Sequence, residues 1–494
     1  MNLTHEQYYD RVYAAWIGKN IGGTLGGPYE GKREYLNVEG FTSEPGIPLP
    51  NDDLDLQLVW LHAVERLGPG GITAATLGEM WMSFIPAHWN EYGNCKTNMI
   101  AGIPAPIAGD YKNSWKHSNG AWIRTEIWAC LAPAAPAIAA KYAIMDASVD
   151  HGVGEGTAAA AFVAAMESAA FVESDIRKLI EIGLCAIPTE SRMYDSIRLL
   201  LSCYEQGMSS REARDAILAR NADIGTGWFE APSNVTYAVL GLLYGEGDFK
   251  KSMLEAVNCG DDTDCTAATV GAILGIMGGT AAIPEDWRAY IGDTIVSIAL
   301  NGALLYNRPK TCRELADRVV RQMPAMMLCN GQSLWTDDHG AVMVGASAGA
   351  TDVGGAFSKS VESIAKRIAD RPAYTAEYVF GPVRAIARTL TEPEIRAGGE
   401  ATIEITFENL WQIYGNIPYG LELTWHLPEG FTVSADAPRR VYLSHMSSHM
   451  RDPKAVITAK VTAGDTVAPL NRILLEVTVV GRPTVGYVPI ALLG

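Results

Sequence analysis

Apolar residues recur along this chain at two different periods, and the change from one to the other happens once. From about residue 5 to 370 the spacing is helical, as in "GEGTAAAAFVAAMESAAF" (154–171) and "SDIRKLIEIGLCAI" (174–187). After "RIADRPAY" the period falls to two. In "ATIEITFENLW" (401–411) Ile403, Ile405 and Phe407 alternate with Thr402, Glu404, Thr406 and Glu408, the pattern of a strand with one buried face. "GLELTWHL" (420–427), "AVITAKVTA" (455–463) and "ILLEVTVVG" (473–481) repeat it between turns such as "LPEGF" and "GRPTVG". The pattern predicts a mainly α protein: an all-helical domain over 1–370, then a smaller β-sandwich over 371–494. Trp411, Tyr414, Tyr419 and Trp425 read as sandwich core or as a sugar platform. The Gly- and Ala-rich 333–357, with Asp337, Asp338 and His339, reads as a loop near the domain junction.

Polar residues crowd the helical part in a few places. In "NCGDDTDCTAATVGAILG" (258–275), Asp261, Asp262 and Asp264 stand at the start of a small-residue apolar helix. One carboxylate there would cap the helix and complement its dipole, but several together repel unless a cation or proton neutralises them. "PNDDLDLQLVWLHAVERL" (50–67) repeats the arrangement with Asn51, Asp52, Asp53 and Asp55. Two such N-termini, if they meet, supply enough hard oxygen donors for Mg²⁺, Mn²⁺ or Ca²⁺. "AAWIGKNIGGTLGGPYEGKR" (14–33) runs through Gly22, Gly23, Gly26 and Gly27 into Glu30, which allows close helix packing or close approach of backbone to a ligand. A helical lead-in distinguishes it from a dinucleotide-binding loop. "HSNGAWIRTEIWACLAP" (117–133) places Asn119 and Gly120 in a turn ahead of Arg124, a layout suited to an anion or a sugar hydroxyl, and His151 precedes the Ala-rich helix.

Composition narrows the partners. The 494 residues are 48% hydrophobic and 19% charged, as in an ordinary globular chain, and the net charge of −17 with no basic cluster argues against nucleic acid. The eight cysteines are scattered without CxxC pairs, which fits reduced thiols and a cytoplasmic protein. No basic n-region and no run of about 18 apolar residues is present, so no membrane partner is expected.

The order of these pieces resembles the ADP-ribosylglycohydrolase family, including the dinitrogenase reductase-activating glycohydrolases. A Gly-rich helix ending in Glu30, "NDDLD", "SNGAWIR", "DH" before an Ala-rich helix, "AVNCGDDTDCTAATVGAILG" and "IPEDW" (283–287) follow one another over about residues 8 to 300. The resemblance implies an all-α domain with two divalent cations, Mg²⁺ first, hydrolysing the C1 bond of an ADP-ribosyl or related ribosyl group on a protein or small molecule. It places Asn51, Asp52 and Asp53 on the first metal motif, and Asp262 and Asp264 on the second with Cys265 beside them. It makes Glu30, Asp53 and Asp262 the catalytic set and Asn119, Gly120, Arg124 and His151 the substrate-binding set.

Departures from the family pattern stand beside the matches. Asn51 and Cys265 replace threonines; an amide oxygen still suits a hard cation, whereas a thiol suits Mg²⁺ poorly, leaving Thr263, Thr266, another ion or water to complete the second position. Asp261 replaces a glycine and adds charge with no evident counterpart. Lys19, Asn20 and the "IRTEIW" continuation differ at positions expected to surround the substrate. They leave open a furanoside or nucleoside-like substrate without a pyrophosphate, or a non-catalytic binding homologue. "DTDCT" also fits the DxDxT of haloacid-dehalogenase-like phosphatases, but its lead-in is helical rather than a buried strand. The appended β-domain is expected to bind glycan, cover the cleft or form a homo-oligomer.

Overall fold

The computed structural model describes residues 2–332, 335–336, 342–345, 353–410, 418–444 and 454–494. Asp337, Asp338, His339, Trp411 and Tyr414 lie outside the described residues. The chain forms two compact units, residues 1–94 with 113–370 and residues 95–112 with 371–494.

The first unit is built on helices. His5–Gly26 starts at a reciprocal cap in which the Thr4 hydroxyl accepts from Gln7 N at 3.2 Å and the Gln7 side chain accepts from Thr4 N at 3.0 Å. It runs antiparallel to Thr263–Gly278 at backbone contact, which explains the glycines. A Cβ on Gly18 would sit 2.5 Å from the Gly271 carbonyl carbon, one on Gly26 2.5 Å from Asp264 N, and one on Gly275 2.6 Å from the Ala14 carbonyl carbon. Glycine in a helix interior costs about 0.5–1 kcal/mol against alanine, and here the loss is offset by an approach no other residue permits. The pairing sets the C-terminus of the first helix, leading to Glu30, beside the N-terminus of the second, with Asp262 and Asp264. Thr263–Ala282 is long and apolar enough to cross a membrane, yet 72% of its 18-residue apolar window is buried inside the protein. Helix Asp52–Leu67 begins at Asn51 and packs its Leu54, Leu58, Leu61 and Val64 into the core. Pro136–His151 and Glu155–Ala170 pack against each other through buried alanines.

The second unit is a two-sheet sandwich. One sheet has the spatial order Thr375–Phe380, Val383–Thr389, Glu400–Asn409, Lys454–Thr462, Thr432–Val433; the other Val485–Leu493, Leu470–Val479, Tyr419–His426, Arg440–Leu443. Ile403, Ile405 and Phe407 face Ile473, Leu475 and Val477 in one core, as the alternation predicts. Tyr419 is buried in that core and Trp425 packs at its margin. The sequence assigned 95–112 to the helical part, but these residues belong with the strands. Cys95, Ile103, Ile107 and Tyr111 cluster with Ala376 and Ala491, and Asp110 accepts from Tyr374 N at 3.1 Å and pairs with Arg371 at 3.3 Å. The apolar spacing of 95–112 shows that it is buried without showing which partner buries it.

Candidate metal centre

A cleft of about 450 Å³ opens in the helical unit where the two acidic helix N-termini meet. Asp52, Asp262, Asp264 and Cys265 line it together with Glu30 and Asn119, and Trp89, Tyr92 and Phe229 give it aromatic surface. Two donor groups can be drawn from it. One atom each of Glu30, Asp262 and Asp264 lie within 4.8 Å of one another, as do atoms of Asp53, Asp264 and Cys265, so Asp264 belongs to both.

The electrostatics of these carboxylates call for a cation. Glu30 is exposed at the cleft, and Asp264, then partial desolvation of its carboxyl, then Asp52 push it up to about 8. Burial and Asp264 push Asp52 up to about 7, and burial with neighbouring carboxylates drives Asp53 and Asp262 well above the carboxylate range. Asp53 Oδ2, Asp262 Oδ1 and Asp264 Oδ1 are buried and have no hydrogen-bond partner among the described residues. Buried acceptors without partners cost free energy, and a divalent cation satisfies several at once. The donor set therefore fits the metal that the sequence implies.

Surrounding groups fix the acids in place. Asn119 Nδ2 donates to Asp262 Oδ2 at 2.6 Å, and its own Oδ1 accepts from Trp122 Nε1 at 2.9 Å. Tyr92 donates its hydroxyl to Asp52 Oδ2 at 3.2 Å, and Gly120 N donates to Glu91 Oε1 at 3.0 Å. A Cβ on Gly120 would meet the Tyr92 ring at 2.7 Å. Lys19 Nζ, fully buried, donates to Glu126 Oε1 at 2.8 Å and lies 3.8 Å from Asp53 Oδ2, while Gln57 Nε2 donates to Glu126 Oε2 at 2.8 Å.

Several expectations change with the geometry. Asn51 caps its helix: its Oδ1 accepts from Asp53 N at 2.8 Å. Asp55 Oδ2 accepts from Ile298 N and Ala299 N, at 2.6 and 2.8 Å, which ties this carboxylate to the 298–299 backbone. Arg124 and His151 do not line the cleft. Arg124 is wholly buried, donating to Asp146 at 3.0 Å, to Asp150 at 3.0 and 2.8 Å, and to the Gly120 carbonyl. Burial alone would raise Asp150, but Arg124 and His151 outweigh it and hold this carboxyl at about 2. His151 sits with Nδ1 2.9 Å from Asp150 and Nε2 3.3 Å from the Ser118 hydroxyl, beneath the 117–124 loop it supports.

The departures also find partners. Asp261 adopts φ +67°, the left-handed conformation that suits a glycine, and Asn234 Nδ2 donates to its Oδ2 at 3.0 Å, so its charge points away from the acidic cluster. Asn234 Oδ1 in turn accepts from Asp262 N at 3.1 Å. Lys19 and Glu126 pair with each other below the cleft instead of facing substrate, and Asn20 donates to the Thr294 carbonyl at 2.9 Å. Glu91, Tyr92, Trp89, Phe229 and Asn234 were missed by sequence reasoning. The polar and aromatic "HWNEYGN" (88–94) and "GWFEAP" (227–232) are the signals that could have pointed to most of them.

Comparison with known proteins agrees with the layout. The family model for ADP-ribosylglycohydrolase matches residues 4–326, and the C-terminal strands lie beyond it. No curated protein shows a significant match to the chain. A solved structure named "ADP-ribosylglycohydrolase-related protein complex" is similar over 64% of this chain and 99% of its own, at 20% identity and a TM-score of 0.42, a likeness too low to carry weight. With residues 4–326 matched out of 494, the chain belongs to the ADP-ribosylglycohydrolase family.

Proposed function

We propose that the protein is a metal-dependent glycoside hydrolase that cleaves the C1 bond of a ribosyl group, ADP-ribosyl in the first instance. The observation that carries this reading is the pair of buried carboxylate oxygens, Asp262 Oδ1 and Asp264 Oδ1, that have no hydrogen-bond partner among the described residues in a cleft also lined by Glu30, with Asp53 close to Asp264. Divalent cations, Mg²⁺ first with Mn²⁺ or Ca²⁺ as alternatives, would be held by Asp52, Asp53, Asp262 and Asp264. Such cations polarise a sugar diol and lower the pKa of bound water. Glu30, held up to about 8 chiefly by Asp264 in the metal-free protein, carries or accepts the proton that water must lose. Asp262, oriented by Asn119, offers negative charge to the oxocarbenium-like carbon. Trp89, Tyr92 and Phe229 supply faces for the sugar or its leaving group and displace water.

One observation favours a substrate without a pyrophosphate. Glu30, Asp52, Glu91, Asp262 and Asp264 line the cleft, and no lysine or arginine is among its described lining residues. A doubly charged diphosphate would have to rely on metal and backbone groups against that field. Both readings meet in one experiment: the EDTA-treated protein, with and without Mg²⁺ or Mn²⁺, assayed on ADP-ribosylated acceptors, nucleosides and simple furanosides. Hydrolysis lost on chelation and restored by metal supports the mechanism, and the substrate turned over selects the reading. Full turnover in excess EDTA by protein without bound metal sinks the mechanism, and metal binding without any turnover would favour a binding homologue.

A further inference from the structure

We propose that the deeper cation position is thiophilic: Cys265, with Asp53 and Asp264, forms a mixed sulfur and oxygen site for Zn²⁺ or a similar borderline cation. Asp52, Asp262 and Asp264, with Glu30 beside them, form the all-oxygen site for Mg²⁺ or Mn²⁺. The proposal rests on the metal-dependent reading of the cleft and assigns its two halves different chemistry.

Placement comes first. One atom of each of Asp53, Asp264 and Cys265 falls within 4.8 Å of the others, and Cys265 Sγ is 3.3 Å from Asp53 Oδ1. All three residues are buried, and Asp53 Oδ2 and Asp264 Oδ1 are without a hydrogen-bond partner among the described residues. The thiol, which donates to Asp53 Oδ1, thus shares one small volume with the two carboxylates that carry these unspent oxygens.

Donor chemistry comes second. The hydroxyls nearest in sequence are engaged elsewhere: Thr263 donates to the Gly26 carbonyl at 2.8 Å and Thr266 to the Thr263 carbonyl at 3.2 Å. Sulfur is what remains on that side. A thiolate donor discriminates against Mg²⁺ and in favour of Zn²⁺, while carboxylates alone suit Mg²⁺ or Mn²⁺.

Charge comes third. Lys19, wholly buried and 3.8 Å from Asp53 Oδ2, opposes any cation held there by charge alone. A metal–sulfur bond with covalent character is least affected by that opposition. At the outer position no lysine or arginine lines the cleft among its described residues.

The test uses the full chain stripped of metal and titrated with Co²⁺. One Co²⁺ per chain should develop a near-ultraviolet thiolate-to-cobalt band that persists in excess Mg²⁺ and is bleached by stoichiometric Zn²⁺. The band should be lost in Cys265→Thr and Cys265→Ser, each checked for folding by circular dichroism. X-ray absorption of the wild-type protein carrying one Zn²⁺ should show one sulfur neighbour, a readout that needs no variant. Co²⁺ bound without a band, a band that survives in both variants, or a zinc shell of oxygen and nitrogen alone overturns the thiophilic assignment and leaves the metal-dependent mechanism standing. Failure to bind any divalent cation overturns both.

Discussion

Gly18→Ala tests whether backbone contact between helices His5–Gly26 and Thr263–Gly278 positions the acidic cluster. The added Cβ would press on the Gly271 carbonyl oxygen and lie 2.5 Å from its carbonyl carbon, where ordinary contact begins at 3.4 Å, so more than about 0.9 Å must be found. The obstructing atoms are backbone, so no side chain can swing aside, and the helices must separate or tilt. Overpacking of this kind costs about 1–3 kcal/mol. Alanine returns about 0.5–1 kcal/mol through helix propensity, which leaves a net loss of about 1–2 kcal/mol. Urea denaturation followed by tryptophan fluorescence reads the loss as a lower midpoint. Gly40→Ala, where a Cβ meets nothing within 4 Å, should leave the midpoint unchanged and is the control. A Gly18→Ala midpoint equal to or above that of the control would refute the packing argument. Gly26→Ala carries it to the site, because its Cβ would press on Asp264 N at 2.5 Å. A misplacement of about 1 Å there should cost about 10²-fold in turnover.

Three further outcomes are expected. Glu30→Gln should lower kcat by about 10²–10⁴-fold with calorimetric metal affinity little changed; an unchanged kcat removes Glu30 from the chemistry. Arg124→Ala removes the guanidinium from two buried carboxylates, leaving Asp146 only the Trp128 N–H and Asp150 only His151 as side-chain partners, and should cost about 3–5 kcal/mol in denaturation; a raised KM at unchanged stability would return Arg124 to the substrate. Metal-free protein should lose stability as pH rises: Asp52 at about 7 and Glu30 at about 8 titrate above their unfolded values, so the native state binds the extra protons. The share of these two groups begins to be lost above about pH 4, where unfolded carboxylates ionise, and is gone past about pH 8. Saturating Mg²⁺ should flatten the melting-temperature profile, and a metal-free profile that is flat or rises over this range contradicts the assignment.

How far the sequence can be read depends on the range of the interaction. Ile403, Ile405 and Phe407 announce their face because the two-residue period is local, and the acidic helix starts stand out because like charges are rarely spent together without a purpose. The partners of Arg124 are not local in this sense: Asp146 and Asp150 lie on a later helix, and only the fold turns an apparent anion-binding residue into the centre of a buried ion cluster. Asp261 misled for a different reason. Its carboxylate is aimed by a left-handed φ and by Asn234, neither of which spacing reveals. Lys19 and Glu126 stand 107 residues apart, so two departures that looked independent are one ion pair. Glu91 and Tyr92 were overlooked because a single acid or tyrosine in a polar stretch carries no periodicity.

The segment Cys95–Lys112 has a practical bearing on how this protein can be divided. A fragment ended at residue 370 would keep the segment but discard Ala376 and Ala491, against which Ile103, Ile107 and Tyr111 pack, along with Tyr374, whose backbone N–H donates to Asp110. Those side chains would then face water, and such a fragment should precipitate or need detergent during purification. The converse fragment, 371–494, would have an open seam in its smaller core. Domain-swapping experiments with relatives should therefore exchange 95–112 together with the strands, because the boundary that separates the two cores crosses the chain three times rather than once.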